Sequence, residues 1–272
     1  MKTDLQQLII PEKYKADASV IISDGYAMNI GVGVDADIPY KPGQPYRVPE
    51  LRVMNVLNGC GTIILNLVRR ELRSGDILVV PAGSVMELVS LDADVRVRLM
   101  SSQTETIDKP LQIHPSGEDA TDLDAMVTAI WNGLHLEPKA TEFVRFQFLA
   151  FLSRVKHIAG RLPKLQSLRS DEIFQLFIEA VNAYATQSRR IPFFADKLGI
   201  TPHHLSAVVK EASGESAMDW INRAVIQRAK LLLSQGMTAL QVSEAMEFPD
   251  APYFNRYFKR LTGQTPGEYQ KK

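Results

Sequence analysis

The sequence predicts an α+β multidomain chain: an N-terminal β-barrel, a group of helices, then an all-α domain that uses one two-helix motif twice. Three observations carry this. Residues 1–107 alternate short Val/Ile-rich runs with Gly and Pro. From about residue 120 the apolar spacing becomes that of helices. In the last third, two segments repeat the same order of apolar, small and turn-forming residues. The divisions fall at 1–118, 119–187 and 188–272, and 272 residues suffice for more than one domain.

The β-rich part contains ASVIIS, YRVPELRVMNVL, GTIILNLVRREL, DILVVPAG and VMELVSLDADVRVRLM. Turn residues separate them, among them Gly31, Gly33, Pro42-Gly43, Gly59, Gly61 and Gly75. Short strands at regular spacing predict a sandwich or barrel. In LRSGDILVVPAGSVMELV (72–89), Gly75-Asp76 makes a tight turn, a β-branched strand follows, and Pro81-Ala82-Gly83 turns again. This stretch resembles the second conserved segment of cupin-like barrels, which implies a barrel able to hold a small effector. Metal-dependent cupins need His and Glu on neighbouring strands, and here no His precedes His114, so neither a metal nor catalytic residues are expected. Tyr26, Met28, Arg47, Arg52 and Met54 lie on candidate strands and are the candidate effector-lining residues. Residues 107–120, with Pro110, Pro115 and Gly117, read as a connector.

Helices are expected over 120–135, 138–159 and 170–187, with a loop at 160–170. The second is apolar nearly all round: Phe143, Val144, Phe146, Phe148, Leu149, Phe151, Leu152 and Val155. Such a helix is buried on several sides. An intramolecular core and a homodimer interface both satisfy it.

The first two-helix motif spans 191–212. Phe194, Leu198 and Ile200 take its apolar positions, Ala195 the small one and Gly199 the turn. Thr201 suits an N-cap and Pro202 a first helical residue. On the second helix Leu205, Val208, Val209 and Ala212 share one face, leaving His203, Ser206, Ala207 and Lys210 outside. The second motif spans 238–261. Val242, Ser243, Met246 and Phe248 fill the same positions; Phe254, Tyr257, Phe258 and Leu261 are expected inside; Pro252, Asn255, Arg256 and Lys259 are expected outside. A linker helix at 217–234 joins them.

Two helix-turn-helix units on one linker helix resemble the DNA-binding domain of the AraC/XylS family. The tail is the most specific part: Phe248, Tyr253, Phe254, Arg256, Phe258, Lys259, Thr262, Gly263, Pro266 and Tyr269 keep the family's types and spacing. The resemblance implies a transcription regulator whose two recognition helices enter successive major-groove segments of double-stranded DNA. RNA polymerase is a plausible further partner under it. Arg256 then suits bidentate contact with guanine, Asn255 a base or phosphate, and Lys210 and Lys259 phosphates. The sequence departs from the family at Ala207 and Val209, where Arg and Phe are usual, and at Val225, Glu247, Pro252 and Gln270. Base reading by the first unit is thereby weakened.

The charge balance agrees. Lys/Arg and Asp/Glu number 31 each, yet residues 188–272 carry 12 basic against 8 acidic side chains. The sequence shows no membrane span and no signal-peptide core, so a cytoplasmic protein without cofactors is expected. The single cysteine, Cys60, is expected half-buried and unreactive. Two other readings stay open: a metal-free cupin enzyme with a helical appendage, and a degenerate regulator that acts through protein contacts.

Overall fold

The computed structural model describes residues 20–23, 25–29, 32–33, 42–136, 139–161 and 169–271. Ala18, Ser19, Gly31 and most of the expected loop, 162–168, lie outside the described residues. The chain divides into two compact units, one carrying the sheets and the first two helices, the other the helices that follow.

Two antiparallel-rich sheets form the first unit. The larger runs β1 (Val20–Ser23), β2 (Tyr26–Asn29), β10 (Arg96–Ser102), β5 (Leu51–Asn58), β8 (Ile77–Val80), β11 (Leu111–Ile113), with β3 (Val32–Gly33) also paired to β10. The smaller runs β4 (Pro45–Arg47), β9 (Val85–Leu91), β6 (Cys60–Leu65), β7 (Val68–Arg73). The expected closed barrel is therefore not formed. Among the described residues each sheet ends in two edges: β1 and β11 in one, β4 and β7 in the other. The reason is where the apolar face goes. Tyr26, Met28, Leu51, Val53, Ile77, Val79, Met100 and Ile113 share one core with α1 (Glu118–Leu134) and α2 (Thr141–Arg161). Helices cover that face, so the sheet need not curl onto itself to bury it.

Two local expectations also change. The connector at 107–120 contains strand β11, paired to β8 through Gln112↔Leu78. Cys60 is exposed, because it opens β6 directly after the Gly59 turn, with its amide bound to Asp92 Oδ2 at 2.9 Å.

Helix α2 is two-sided. Val144, Phe148, Phe151, Leu152, Val155 and Ile158 are buried, whereas Phe143 and Phe146 are 51% and 61% exposed. The intramolecular core thus takes one stripe of this helix and leaves another uncovered.

The second unit holds α3 (Arg169–Tyr184), α4 (Ile191–Leu198), α5 (Pro202–Ser213), α6 (Ala217–Ser234), α7 (Ala239–Ala245), α8 (Ala251–Thr262) and α9 (Pro266–Gln270). One apolar cluster runs through it from Phe177 and Phe194 to Phe254, Phe258 and Tyr269. Aromatic edges set the packing: Phe177 meets Phe194 at 6.0 Å and Phe174 meets Trp220 at 5.3 Å, both T-shaped.

Candidate nucleic-acid interface

Helix α4 stops at Gly199, whose φ of 66° is left-handed and free of the Cβ penalty. Thr201 then caps α5, its hydroxyl accepting from the His204 amide at 3.2 Å, with Pro202 as first residue. Leu205, Val208 and Val209 point inward and are buried. His203, Ala207 and Lys210 are exposed on the other face and Ser206 is half-buried, which leaves these four on one side of the helix. Two of them are engaged with their own helix. Ser206 donates to the Pro202 carbonyl at 2.8 Å, and Lys210 donates to the Gly214 carbonyl at 2.6 Å.

Helix α6 is the common support. Ser216 caps it in a reciprocal box with Asp219, and those hydrogen bonds hold the Asp219 carboxyl below its usual range. Val225, where the family has an Arg, is fully buried in the apolar cluster, so a charge there would have no water. Trp220 ties α6 to α5 through Ser213 at 3.0 Å. Asn222 ties α6 to α8 by accepting from the Tyr257 hydroxyl at 2.6 Å. Burial pushes the Tyr257 phenol up to about 12, the nearby Arg189 and Arg260 opposing the rise.

Asp250 caps α8, accepting from the Tyr253 amide at 2.6 Å. Phe254, Tyr257 and Phe258 are buried, and Pro252, Asn255, Arg256 and Lys259 are all exposed. Among the described residues, the side chains of Asn255 and Arg256 make no hydrogen bond or ion pair. Leu261, expected inside, is 38% exposed. The core there is closed instead by Tyr269 of α9, whose ring lies 5.9 Å from that of Phe258. Gln270, in place of a usual Arg, donates to the Leu233 and Met237 carbonyls at 3.1 and 2.8 Å and so fastens α9 to the end of α6.

Tyr253, one of the tail residues matched in sequence, is 45% exposed in the first turn of α8. Two residues near this surface were not singled out from sequence. Arg260 lies over the Tyr257 ring at 5.3 Å and sits inside the matched tail, so the motif itself was the signal. The other, Arg189, lies just before α4. Its guanidinium donates to the carbonyls of Met246 and, at 3.4 Å, Glu247, and stacks over Phe248 at 3.8 Å. Burial lowers its pKa. Glu247 occupies the turn position with a φ of 53°, a left-handed conformation that a non-Gly residue adopts at a cost of about 1 kcal/mol or more.

The candidate effector residues do not converge. Tyr26 and Met28 are buried on the face that meets α1 and α2. Arg52 and Met54 alternate with Leu51 and Val53 and so lie on the opposite face of β5. Arg47 lies exposed on β4, donating to the Gly83 carbonyl at 3.3 Å. Arg52 is buried against Glu50, with Nη2–Oε1 at 2.6 Å, a partner that sequence reading did not name. A small cleft of about 10 Å³ is lined by Tyr26, Leu134, Lys139 and Val144. Among the described residues no cluster of His, Cys, Asp or Glu is placed to hold a metal, and no described helix is long and apolar enough to cross a membrane.

Residues 194–272 match the family model described as "Helix-turn-helix domain". The chain is 23% identical over 227 residues, 79% of each protein, to the uncharacterized HTH-type transcriptional regulator YpdC of Escherichia coli (strain K12). It is 35% identical over 77 residues to the arabinose operon regulatory protein of the same strain, which covers 28% of this chain and 26% of that one. The chain is a DNA-binding regulator of the helix-turn-helix type. Among solved structures, ToxT from Vibrio cholerae O395 aligns over 92% of this chain and 98% of its own, at 17% identity and a TM-score of 0.39. The sequence matches agree with a helix-turn-helix reading of the last third; the closed cupin-like barrel expected in front of it is overturned, since among the described residues both sheets end in open edges.

Proposed function

We propose that this chain controls transcription by binding a two-part DNA site, with α8 reading bases and α5 mainly anchoring the backbone. The observation that carries this is the exposed pair Asn255 and Arg256, unengaged within the described residues, beside Ser206 and Lys210, which bond to their own helix. Arg256 offers the planar fork that matches guanine O6 and N7. Lys259, one turn on, and Lys210 supply phosphate contacts and hence salt dependence. Selection of bound DNA from random sequence, at stated salt, tests the reading. The expected result is two elements about ten base pairs apart, the one under α8 the more selective. Binding that is salt-sensitive but blind to sequence would overturn it in favour of a regulator that works through protein contacts.

The relatives named above are regulators, and this reading assigns the chain no catalytic step. Control by a small effector is its second part. The cleft beside Tyr26, between the end of α1 and the start of α2, brings a phenol and Lys139 together. Its 10 Å³ admits about one water, so a larger effector requires those helix ends to part. A ligand screen read by melting temperature tests this. No stabilisation by any small molecule, or stabilisation undiminished by filling the cleft with Val144→Phe, would sink it.

A homodimer through α2 completes the reading. Phe143, Phe146, Ala150, Ser153, His157 and Gly160 are all exposed and recur at alternating steps of three and four, the spacing of a two-helix seam. Both Phe side chains occupy one end of this seam, and Ala150, Ser153 and Gly160, with His157 among them, the rest. Two copies laid antiparallel would place each Phe against Ser, His or Gly, and Glu142 towards the end that carries Lys156 and Arg161. Sedimentation at micromolar concentration should give a dimer, and Phe146→Glu a monomer; a monomeric parent protein would refute the interface.

A further inference from the structure

We infer that Arg189 is a positioning residue that sets the second recognition helix from the entrance of the first. This rests on the DNA-binding reading above.

The turn between α7 and α8 has three consecutive features. Met246 ends α7, Glu247 turns left-handed at φ 53°, and Phe248 re-enters the core with its amide bound to Ser243 O at 2.9 Å. In the first unit the equivalent left-handed place is held by Gly199, which needs no help. In the second, a side chain from far away in sequence supplies the help. Arg189 donates to the carbonyls of both Met246 and Glu247 and lies flat on Phe248. Each contact acts on one of the three turn residues. A planar fork with two donors fixes the orientation of two carbonyls together, which the rotatable ammonium of a lysine does less rigidly. Cation–π stacking on Phe248 adds to the hold.

The position of Arg189 in the chain gives the clamp its meaning. Arg190, the next residue, is the N-cap of α4. The residue that enters the first helix-turn-helix therefore also grips the turn that aims α8. Phe248 in turn touches Tyr253, Phe254 and Tyr257 of α8, with ring separations of 6.1, 5.1 and 5.3 Å. A shift of the Arg189 backbone reaches Asn255 and Arg256 through one stacked ring. Arg189 is half-buried, and its guanidinium is taken up by the Met246 and Glu247 carbonyls and the Phe248 ring, so the role assigned to it is to act through the turn rather than by contact with DNA.

Arg189→Met in the full chain tests this, since it keeps a stem over Phe248 and removes the fork. Amide hydrogen exchange at Glu247 and Phe248 should quicken about tenfold, the factor that 1.4 kcal/mol produces. In random-sequence selection the element under α8 should lose selectivity by a similar factor while the element under α5 keeps its own. Adding Glu247→Gly, which removes the left-handed penalty, should recover most of both losses. Unchanged exchange, equal loss in both elements, or a double variant no better than the single would overturn the proposal. If Arg189→Met does not fold, the double variant must fold and read normally, or the clamp is refuted. A parent protein with no sequence preference would sink the DNA reading and the positioning role with it, while exchange would still judge the clamp.

Discussion

The two helix-turn-helix units share an architecture and differ in which outer side chains they leave unengaged. In the first, Gly199 makes the turn, Ala207 sits at the centre of the outer face, and Ser206 and Lys210 bond back to their own helix. In the second, a strained Glu247 makes the turn, while Asn255 and Arg256 stand exposed on the outer face. The unstrained turn precedes the helix proposed to anchor, and the costly turn, gripped by Arg189, precedes the helix proposed to read. A helix-turn-helix spacing therefore identifies where a helix will lie but not how much sequence it will read. That depends on which outer side chains are left unengaged.

The comparison is tested most severely by asking whether the units are separable at all. Their apolar residues form one continuous cluster across α6. Phe258→Ala should cost about 3–5 kcal/mol, the usual loss for a fully buried Phe. Exchange protection should fall in α4 and α5 as well as in α7 to α9. Loss confined to α7–α9 would mean two independent domains. A milder probe uses the polar ties to α6, made by Ser213, Tyr257 and Gln270, of which only Tyr257 titrates near the alkaline limit. Its folded value of about 12 exceeds the ordinary 10 because burial disfavours the phenolate. The stabilisation is full below pH ~10 and is lost as pH rises towards ~12, because the unfolded chain releases that proton first. Tyr257→Phe should abolish this part of the alkaline loss. An unchanged alkaline melting profile in that variant would remove Tyr257 from the account.

Arg256→Ala addresses reading itself. It should cost about 1–3 kcal/mol of discrimination at one base pair under α8. Ser206→Ala on α5 should change selectivity by well under 1 kcal/mol, since the hydroxyl already bonds to Pro202. Competition binding against single-base variants of the selected site measures both. Equal effects would mean that the units read alike.

The second unit's helices were legible almost residue by residue because their signals are local. Thr201, Gly199 and Asp250 act within three residues, and each does what its type suggests. Leu261 was misplaced because the helical period continues past the point where Tyr269 closes the core. Arg189 was invisible for the opposite reason, as its partners lie 57 and 58 residues away. The sheets show the same limit. Strand composition located most of the strands, but pairing is non-local, and alternation could not tell a face covered by a neighbouring sheet from one covered by α1 and α2. Hence the strands came out and the barrel did not. The buried pair of Glu50 and Arg52 was half-seen: Arg52 looked like a ligand group until its partner, two residues away on the chain, was placed beside it.

The smallest expected effect is at Lys210, and it separates anchoring from reading most cleanly. Its ammonium donates to the Gly214 carbonyl at the C-terminal end of α5, an exposed contact that stabilises the fold by little. Under the proposed reading that same charge faces the DNA backbone, where one phosphate contact contributes about 0.9 to the slope of log affinity against log salt. Lys210→Ala should therefore lower the slope by roughly that amount, weaken all sequences alike, and leave the selected site unchanged. Lys210→Gln, which retains a donor for Gly214 but no charge, should give the same slope. If either variant instead altered base preference under α5, the first unit would be a reader after all, and the division of labour between the two units would fail.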